Sequence, residues 1–394
     1  MPAVSTTASV SSSSSSGPAS ASGSRALNHC LVLWPVAPAL LSSLKGVFHR
    51  VSYFPIQGPD AAPDAPRPTA ADYASADAIF AFAMPQELQH PRQTPNLRLW
   101  QCCAAGVSHL QETAFFKAQG PESRIVWANA TGIQTSTIGE HVLGTVLMLT
   151  HKIHYLYLAQ QTQQRWVPHK ELGGNFIREL KSLTVGLVGY GNIARETARL
   201  FSACGATVLA LTRSGRPEPF PSSSLTLPST GDPSGSVPTA YFSSQSRDAR
   251  LAFFARCDVV VNTLPDSKAT RGCMGREELS GMKGDAIYVN VGRGTTTDQE
   301  ALVEALRARA GEGEERDAVG TLRIGAASLD VTDPEPLPSS SPLWTLPNCI
   351  VTPHMSALSS EYWQRALGVL ALNAARLADG DEGVNVFRAP KVGA

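Results

Sequence analysis

The chain has 394 residues, 43% of them hydrophobic and 17% charged, with 33 basic and 33 acidic side chains. That length allows two domains, the composition is that of a folded globular chain, and the even charge leaves no basic footprint for nucleic acid or an anionic membrane. No uninterrupted apolar run is long enough to cross a bilayer.

Residues 1–25 are mostly Ser, Ala, Thr and Gly. They predict a disordered tail; its first 24 residues carry no charged side chain, so it lacks the several arginines of a transit peptide, and it has no apolar core of a secretory signal. Seven scattered cysteines fit neither a disulfide framework nor a paired CxxC zinc site. They point to a reducing compartment, so a cytoplasmic protein with no metal is expected.

From Leu27 onward "HCLVLWP", "ADAIFAFAM" and "LRLWQCCAAGV" read as strands. Ser136 to Leu158 carries Ile138, Val142, Val146, Leu149, Ile153 and Leu156 at helical spacing, which predicts one long helix. "LTVGLVGYG" is a buried strand running into glycines, and "NIARETARLFSACG" is a helix closed by Gly205. The runs "TVLALT", "CDVVVNTLP", "AIYVNVGRG", "AASLDV" and "NCIVTP" follow, mostly separated by helix-like segments. β-Branched runs alternating with helices are the pattern of βαβ units and a parallel sheet buried on both faces. Two segments interrupt the order. Residues 214–246 are rich in Pro, Ser and Gly, and 310–320 in Gly, Glu and Arg. Both exceed an ordinary α/β connection and predict mobile surface loops.

Gly189-x-Gly191-x-x-Ala194 stands between a strand and a helix. The first glycine permits a tight turn, the second lets a pyrophosphate approach the backbone, and amides near Asn192 and Ile193 can bind it. The same pattern also fits a bare tight turn; the following strand at the right distance favours a dinucleotide. After that second strand an NAD enzyme places a carboxylate for the ribose, whereas this chain has Thr212, Arg213 and Ser214. A guanidinium with two hydroxyls suits a 2′-phosphate, so NADP is the expected cofactor, with NAD the alternative and a solvated loop arginine the bland reading. Thr263, Val291 and Gly292, at later strand ends, are assigned to the cofactor as well.

Arg293 lies between glycines at a strand end, where α/β sheets place ligands. Its fork can grip a carboxylate or carbonyl oxygen. Asp298 is expected only to cap the next helix. Glu335 follows the next strand and His354, the only histidine after His169, the one after that. Any of these alone is more often structural, and His354 could simply pack. Together they supply what a carbonyl reductase needs: an acid/base imidazole, a carboxylate that orients it, and a cation for the substrate's anionic end.

These motifs resemble the D-isomer-specific 2-hydroxyacid dehydrogenases, over nearly all of Leu27 to Phe387. "GLVGYGNIARETA" is similar to the family's cofactor turn and "VNVGRGTTTDQEAL" to its arginine signature. "LDVTDPEPLPSSSPLW" with "IVTPHMSA" is similar to its acid-then-histidine signature. The resemblance implies a catalytic set of Arg293, Glu335 and His354, with Asp330 on the nicotinamide side of the cofactor. It also implies that "CCAAGVSHL" is a substrate loop, whose amides around Ala105, Gly106 and Val107 hold a carboxylate. Ala194 replaces a usual glycine and Ser108 a frequent aspartate.

The expected fold is therefore α/β: a Rossmann-type doubly wound parallel sheet for the cofactor over 132–354, and a flavodoxin-like substrate domain over 26–131 completed by 355–394. The expected function is NADPH-dependent reduction of a 2-oxoacid to the D-2-hydroxyacid, by a homodimer in the resemblance's image. The alternatives are an NAD-dependent relative and a cofactor-sensing corepressor-like protein. Phe82 and Met84 could wall a pocket for a side chain larger than that of glyoxylate, or be core residues.

Overall fold

Short apolar runs of three to six residues build two sheets in the computed structural model, which describes residues 26–59, 61, 64–120, 122–172, 177–308 and 322–388. The first sheet contains β1 (His29–Val32), β2 (Arg50–Tyr53), β3 (Ala78–Ala81), β4 (Leu99–Cys102), β5 (Val126–Ala128) and, far along the chain, β13 (Val386–Arg388). Its order is β13-β5-β4-β3-β1-β2, parallel except for the antiparallel β13. The second contains β6 (Thr184–Val188), β7 (Thr207–Thr212), β8 (Ala240–Ser243), β9 (Val259–Asn262), β10 (Ile287–Asn290), β11 (Ala326–Leu329) and β12 (Cys349–Val351). Its order is β12-β11-β10-β9-β6-β7-β8, all parallel. Each order reverses once, between β1 and β3 and between β6 and β9. Such switch points leave a crevice beyond the strands' carboxyl ends.

The helices are α1 (Ala70–Ser75), α2 (Ser108–Gln111), α3 (Ala114–Lys117), α4 (Thr135–Thr150), α5 (Ile153–Gln163), α6 (Asn192–Ala203), α7 (Arg247–Arg256), α8 (Arg276–Ser280), α9 (Gln299–Arg307) and α10 (Tyr362–Asp379). Alternation along the strands feeds a separate core on each face of each sheet. Leu31 and Ile79 face Trp100 and Trp127 on one side of the first sheet, while Val32 and Phe80 meet Leu367 and Leu370 of α10 on the other. In the second sheet Val185, Leu187 and Val289 pack with Ile138, Val142 and Val146 of α4. Burial on both faces is why these strands read as unbroken apolar runs. None of the described helices is long and apolar enough to cross a membrane.

Two expectations are corrected. The single helix over Ser136–Leu158 is two, because Lys152 turns into the left-handed region at φ 57°. The break is supported by its neighbours: the Arg178 amide donates to Thr150 O, and the His154 ring bonds Met148 O and Pro347 O. Apolar spacing continued across the break, so periodicity could not show it. The second correction concerns 214–246, expected to be a mobile loop. The segment folds onto the start of α6 and ends in the edge strand β8. Arg195, 5% exposed, donates to the carbonyls of Tyr190, Glu218 and Asp232. Asp232 in turn accepts from Tyr190 Oη and the amides of Ser236 and Val237. Leu225 O accepts from Asn192 Nδ2, and Asn385 Oδ1 accepts from Leu225 N. Composition read this segment as loop because a few buried polar anchors, not an apolar periodicity, hold it. The 1–25 tail and the 310–320 segment lie outside the described residues.

Candidate active site

The cofactor turn follows directly from β6. Gly189 sits at φ +82°, and a Cβ there would come within 3.0 Å of Leu264, so only glycine turns the chain this tightly. At Gly191 a Cβ would meet nothing within 4 Å, and no side chain caps the first amides of α6. Asn192 and Ile193 therefore present a helix start with room for an anion. Ala194 is fully buried, where a small residue lets α6 lie close to the sheet. Thr263 ties its hydroxyl to Val188 O at 3.1 Å beside this turn. Gly292 closes the far side, since a Cβ there would sit 2.4 Å from Leu264 O; Val291 beside it is 5% exposed and packs in the core.

Beyond β7 a cavity of about 490 Å³ opens among Tyr190, Arg195, Thr212, Arg213, Ser214, Arg216, Glu218, Tyr241 and Gln245. Thr212, Arg213 and Ser214 are thus brought together, and Arg216 joins them. The turn is held by Gly215 N donating to Thr212 Oγ1 and Ser243 Oγ donating to Arg213 O. The lining offers two surface guanidiniums, Arg213 and Arg216, the hydroxyls of Thr212 and Ser214, and one carboxylate, Glu218, whose backbone carbonyl is taken by Arg195.

Two buried asparagines, paired across β9 and β10, shape the strand ends of the reaction side. Asn290 accepts from Gly292 N and donates to Arg293 O, and Thr296 Oγ1 donates to the same carbonyl at 2.6 Å. Asn262 accepts from Leu264 N and donates to Thr296 Oγ1. The Arg293 backbone is thereby fixed while its guanidinium is half-buried. One terminal nitrogen lies 3.2 Å from where a Cβ of Gly106 would stand, so the 105–107 loop faces Arg293 directly. Ala105 O accepts from Asn129 Nδ2 at 3.0 Å, which anchors that loop; Val107 is the N-cap residue of α2. Asp298 caps α9 through Ala301 N, as expected.

β12 lies two strands from β10, so the two strand ends that lead to Arg293 and His354 are about 10 Å apart along the sheet edge. His354 Nδ1 is 2.9 Å from Glu335 Oε2, and Thr332 N donates to the other carboxylate oxygen. The imidazole is exposed, and Nε2 points away from this pair. His354 takes a positive φ of 51°, an uncommon conformation for a side-chain-bearing residue. Asp330 accounts for it. Its carbonyl accepts from His354 N, and its carboxylate takes Thr352 Oγ1, Ser356 Oγ and the amides of Met355 and Ser356. Burial works to raise the Asp330 carboxyl, yet these hydrogen bonds together hold it below the usual aspartate range. Among the described residues no group of three or more His, Cys, Asp or Glu is placed to hold a metal.

A sequence model of the "D-isomer specific 2-hydroxyacid dehydrogenase, NAD binding domain" matches residues 143–230 and 232–356. The chain belongs to that family. An (S)-sulfolactate dehydrogenase of Chromohalobacter salexigens is 30% identical over 256 residues, 65% of this chain and 71% of that one. Two solved family members share the fold: one from Xanthobacter autotrophicus Py2 in complex with NADPH and MES (TM-score 0.68, 22% identity, 92% of this chain and 99% of that one), and an NAD-complexed form from Lactobacillus delbrueckii ssp. bulgaricus (TM-score 0.67, 17% identity, 92% and 100%). The protein is accordingly an NAD(P)-dependent dehydrogenase or reductase of 2-hydroxyacids, with the α/β architecture and Rossmann sheet its sequence implied.

Sequence reading overlooked Asn262 and Asn290, although both close a buried apolar run ("VVVN", "IYVN") where a polar residue needs a partner. It also overlooked Arg216, for which the low-complexity context gave no signal.

Proposed function

We propose that this dehydrogenase reduces a 2-oxoacid to the D-2-hydroxyacid with NADPH, His354 serving as the proton donor. The observation that carries this is the His354–Glu335 pair, which occupies Nδ1 and leaves Nε2 for substrate, two strands from an arginine whose backbone is fixed. NADPH, when bound, supplies the hydride. The chain does the rest. Arg293 and the amides of Ala105, Gly106 and Val107 bind the carboxylate, and the guanidinium polarises the keto oxygen. Nε2–H of His354 gives its proton to the forming alkoxide, while Glu335, 2.9 Å from Nδ1, orients the ring. Gly189, Gly191, Asn192 and Ile193 hold the pyrophosphate; Thr263, Val291 and Gly292 bound the rest of the cofactor site, with Asp330 on its nicotinamide side. The domains are 26–131 with 355–394 for substrate and 132–354 for cofactor, and their closure excludes water.

NADPH is favoured over NADH by Arg213 and Arg216 in the cavity beyond β7, with Thr212 and Ser214 where a carboxylate would serve the bare ribose. A homodimer is supported by exposed apolar surface at Ile153, Tyr157, Leu158 and Trp166, the last 90% exposed. A cytoplasmic setting is supported by seven free thiols. Oxidation of NADPH on adding 2-oxoacids, slowed about 100-fold or more in His354→Gln, tests the central reading; wild-type protein inert toward every 2-oxoacid would overturn it.

A further inference from the structure

Aromatic surface gathers at the switch point of the first sheet and has no part in the reduction described above. β1 and β3 are neighbours there, so the residues that follow them emerge side by side. Trp34 follows β1 and Phe82 follows β3, with ring centroids 5.5 Å apart. The Phe82 ring stacks on His109 of α2 at 4.5 Å and 21°, and Trp34 leans on Trp363 of α10 at 5.3 Å.

Phe82 is 39% exposed, so filling the core does not explain it. Its backbone is nevertheless pinned at several points. Gln57 Oε1 accepts from the amides of Phe82 and Ala83, Gln57 Nε2 donates to Ala83 O, and the His109 ring bonds Phe82 O at 2.7 Å. A ring held this way loses little freedom when a second ring packs on it. The wall also adjoins the anion end of the site. Cys102 Sγ lies 3.8 Å from Phe82 O and 4.0 Å from Gly106 O, and Gly106 faces Arg293. None of Trp34, Gln57, Phe82, His109 and Trp363 is a lysine or arginine that would pair with a second anionic group.

Resting on the 2-oxoacid reductase reading, we propose that Phe82, stacked on His109 and backed by Trp34, binds the side chain of an aryl 2-oxoacid and selects it over small or doubly anionic ones. Gln57 is a positioning residue for that wall.

The test compares kcat/KM for phenylpyruvate, pyruvate and glyoxylate with NADPH, in wild-type protein, Phe82→Ala and Gln57→Ala. Wild-type protein should prefer phenylpyruvate to pyruvate by about tenfold or more, and Phe82→Ala should lower that ratio about tenfold, mainly through KM. Gln57→Ala should lower it less, again through KM and not kcat. A preference for pyruvate or glyoxylate would overturn the inference alone, as would equal losses for all three substrates in Phe82→Ala. If no 2-oxoacid is reduced, the inference and the reductase reading fall together, and that result cannot be mistaken for the others.

Discussion

Replacing Arg213 with alanine separates a phosphate contact from general loosening of the cofactor site. Arg213 stands in the cavity beyond β7 with Arg216, and its main chain is tied down by Ser243. A hydrogen bond to a charged group contributes about 1.5–3 kcal/mol. Because the Arg213 side chain is exposed to solvent, screening places the contact in the lower part of that range, about 1.5–2 kcal/mol. That corresponds to a roughly 10- to 30-fold rise in Kd for NADPH, with NADH little affected. Arg216→Ala should act in the same direction, and the double change should exceed either alone, though not as a simple sum if both cations share one phosphate. Thr212→Asp should repel the phosphate and move preference toward NADH. Nucleotide fluorescence titrations at low and high salt would measure each value, and the NADPH advantage should shrink as salt rises. Tighter binding of NADH than NADPH by the wild-type protein would refute the assignment. So would an Arg213→Ala variant that weakens both nucleotides equally.

His354→Gln should slow reduction about 100-fold or more while leaving NADPH affinity near its original value; near-normal turnover in a stopped-flow assay would remove the acid/base role. Glu335→Gln keeps an acceptor for Nδ1 and should cost less than His354→Gln, and an equal or larger cost would count against an orienting role. Arg293→Ala should raise the substrate KM and lower kcat more than Arg293→Lys does, yet lysine should not restore full rate, because ammonium lacks the planar fork. Ser356→Ala should lower stability by about 1.5–3 kcal/mol at pH 7, read by urea unfolding, since it removes a buried hydrogen bond to a carboxylate. The Asp330 carboxyl is depressed in the folded state, so its stabilisation is present above the ordinary aspartate value and lost as pH falls through the lower folded one. The gap between Ser356→Ala and wild type should therefore close only below about pH 4; closure near pH 6 would point to another group.

Much of this was legible in the sequence, and the reason is physical. The strands around β6 are buried on both faces, which forces unbroken β-branched runs, and the turn at Gly189 admits nothing but glycine. Arg293, Glu335 and His354 stood out as candidates because each follows such a run. Other parts left weaker marks. β2, β5 and β13 are three or four residues long, and β8 closes a Ser- and Pro-rich segment, so none shows a period. Asp330 reads equally as a cofactor ligand or as the centre of a turn, and only the fold shows its carboxylate gathering the 352–356 segment. The Gln57–Phe82 contact joins residues 25 apart in sequence and belongs to no motif.

Asn385 has a consequence for how the chain is assembled. Its side chain accepts from Leu225 and donates to Thr131, and its amide donates to Ser223 O, so residues separated by 160 and 254 positions converge on it. During synthesis the dinucleotide sheet can form as soon as β12 has emerged, because domains fold as units in the order they appear. The contacts that Ser223 and Leu225 make to the first sheet, and those at the crossing near Thr131, form only once Asn385 follows. Those closures join residues far apart in the chain and so cost more loop-closure entropy than the contacts between neighbouring strands of the sheet.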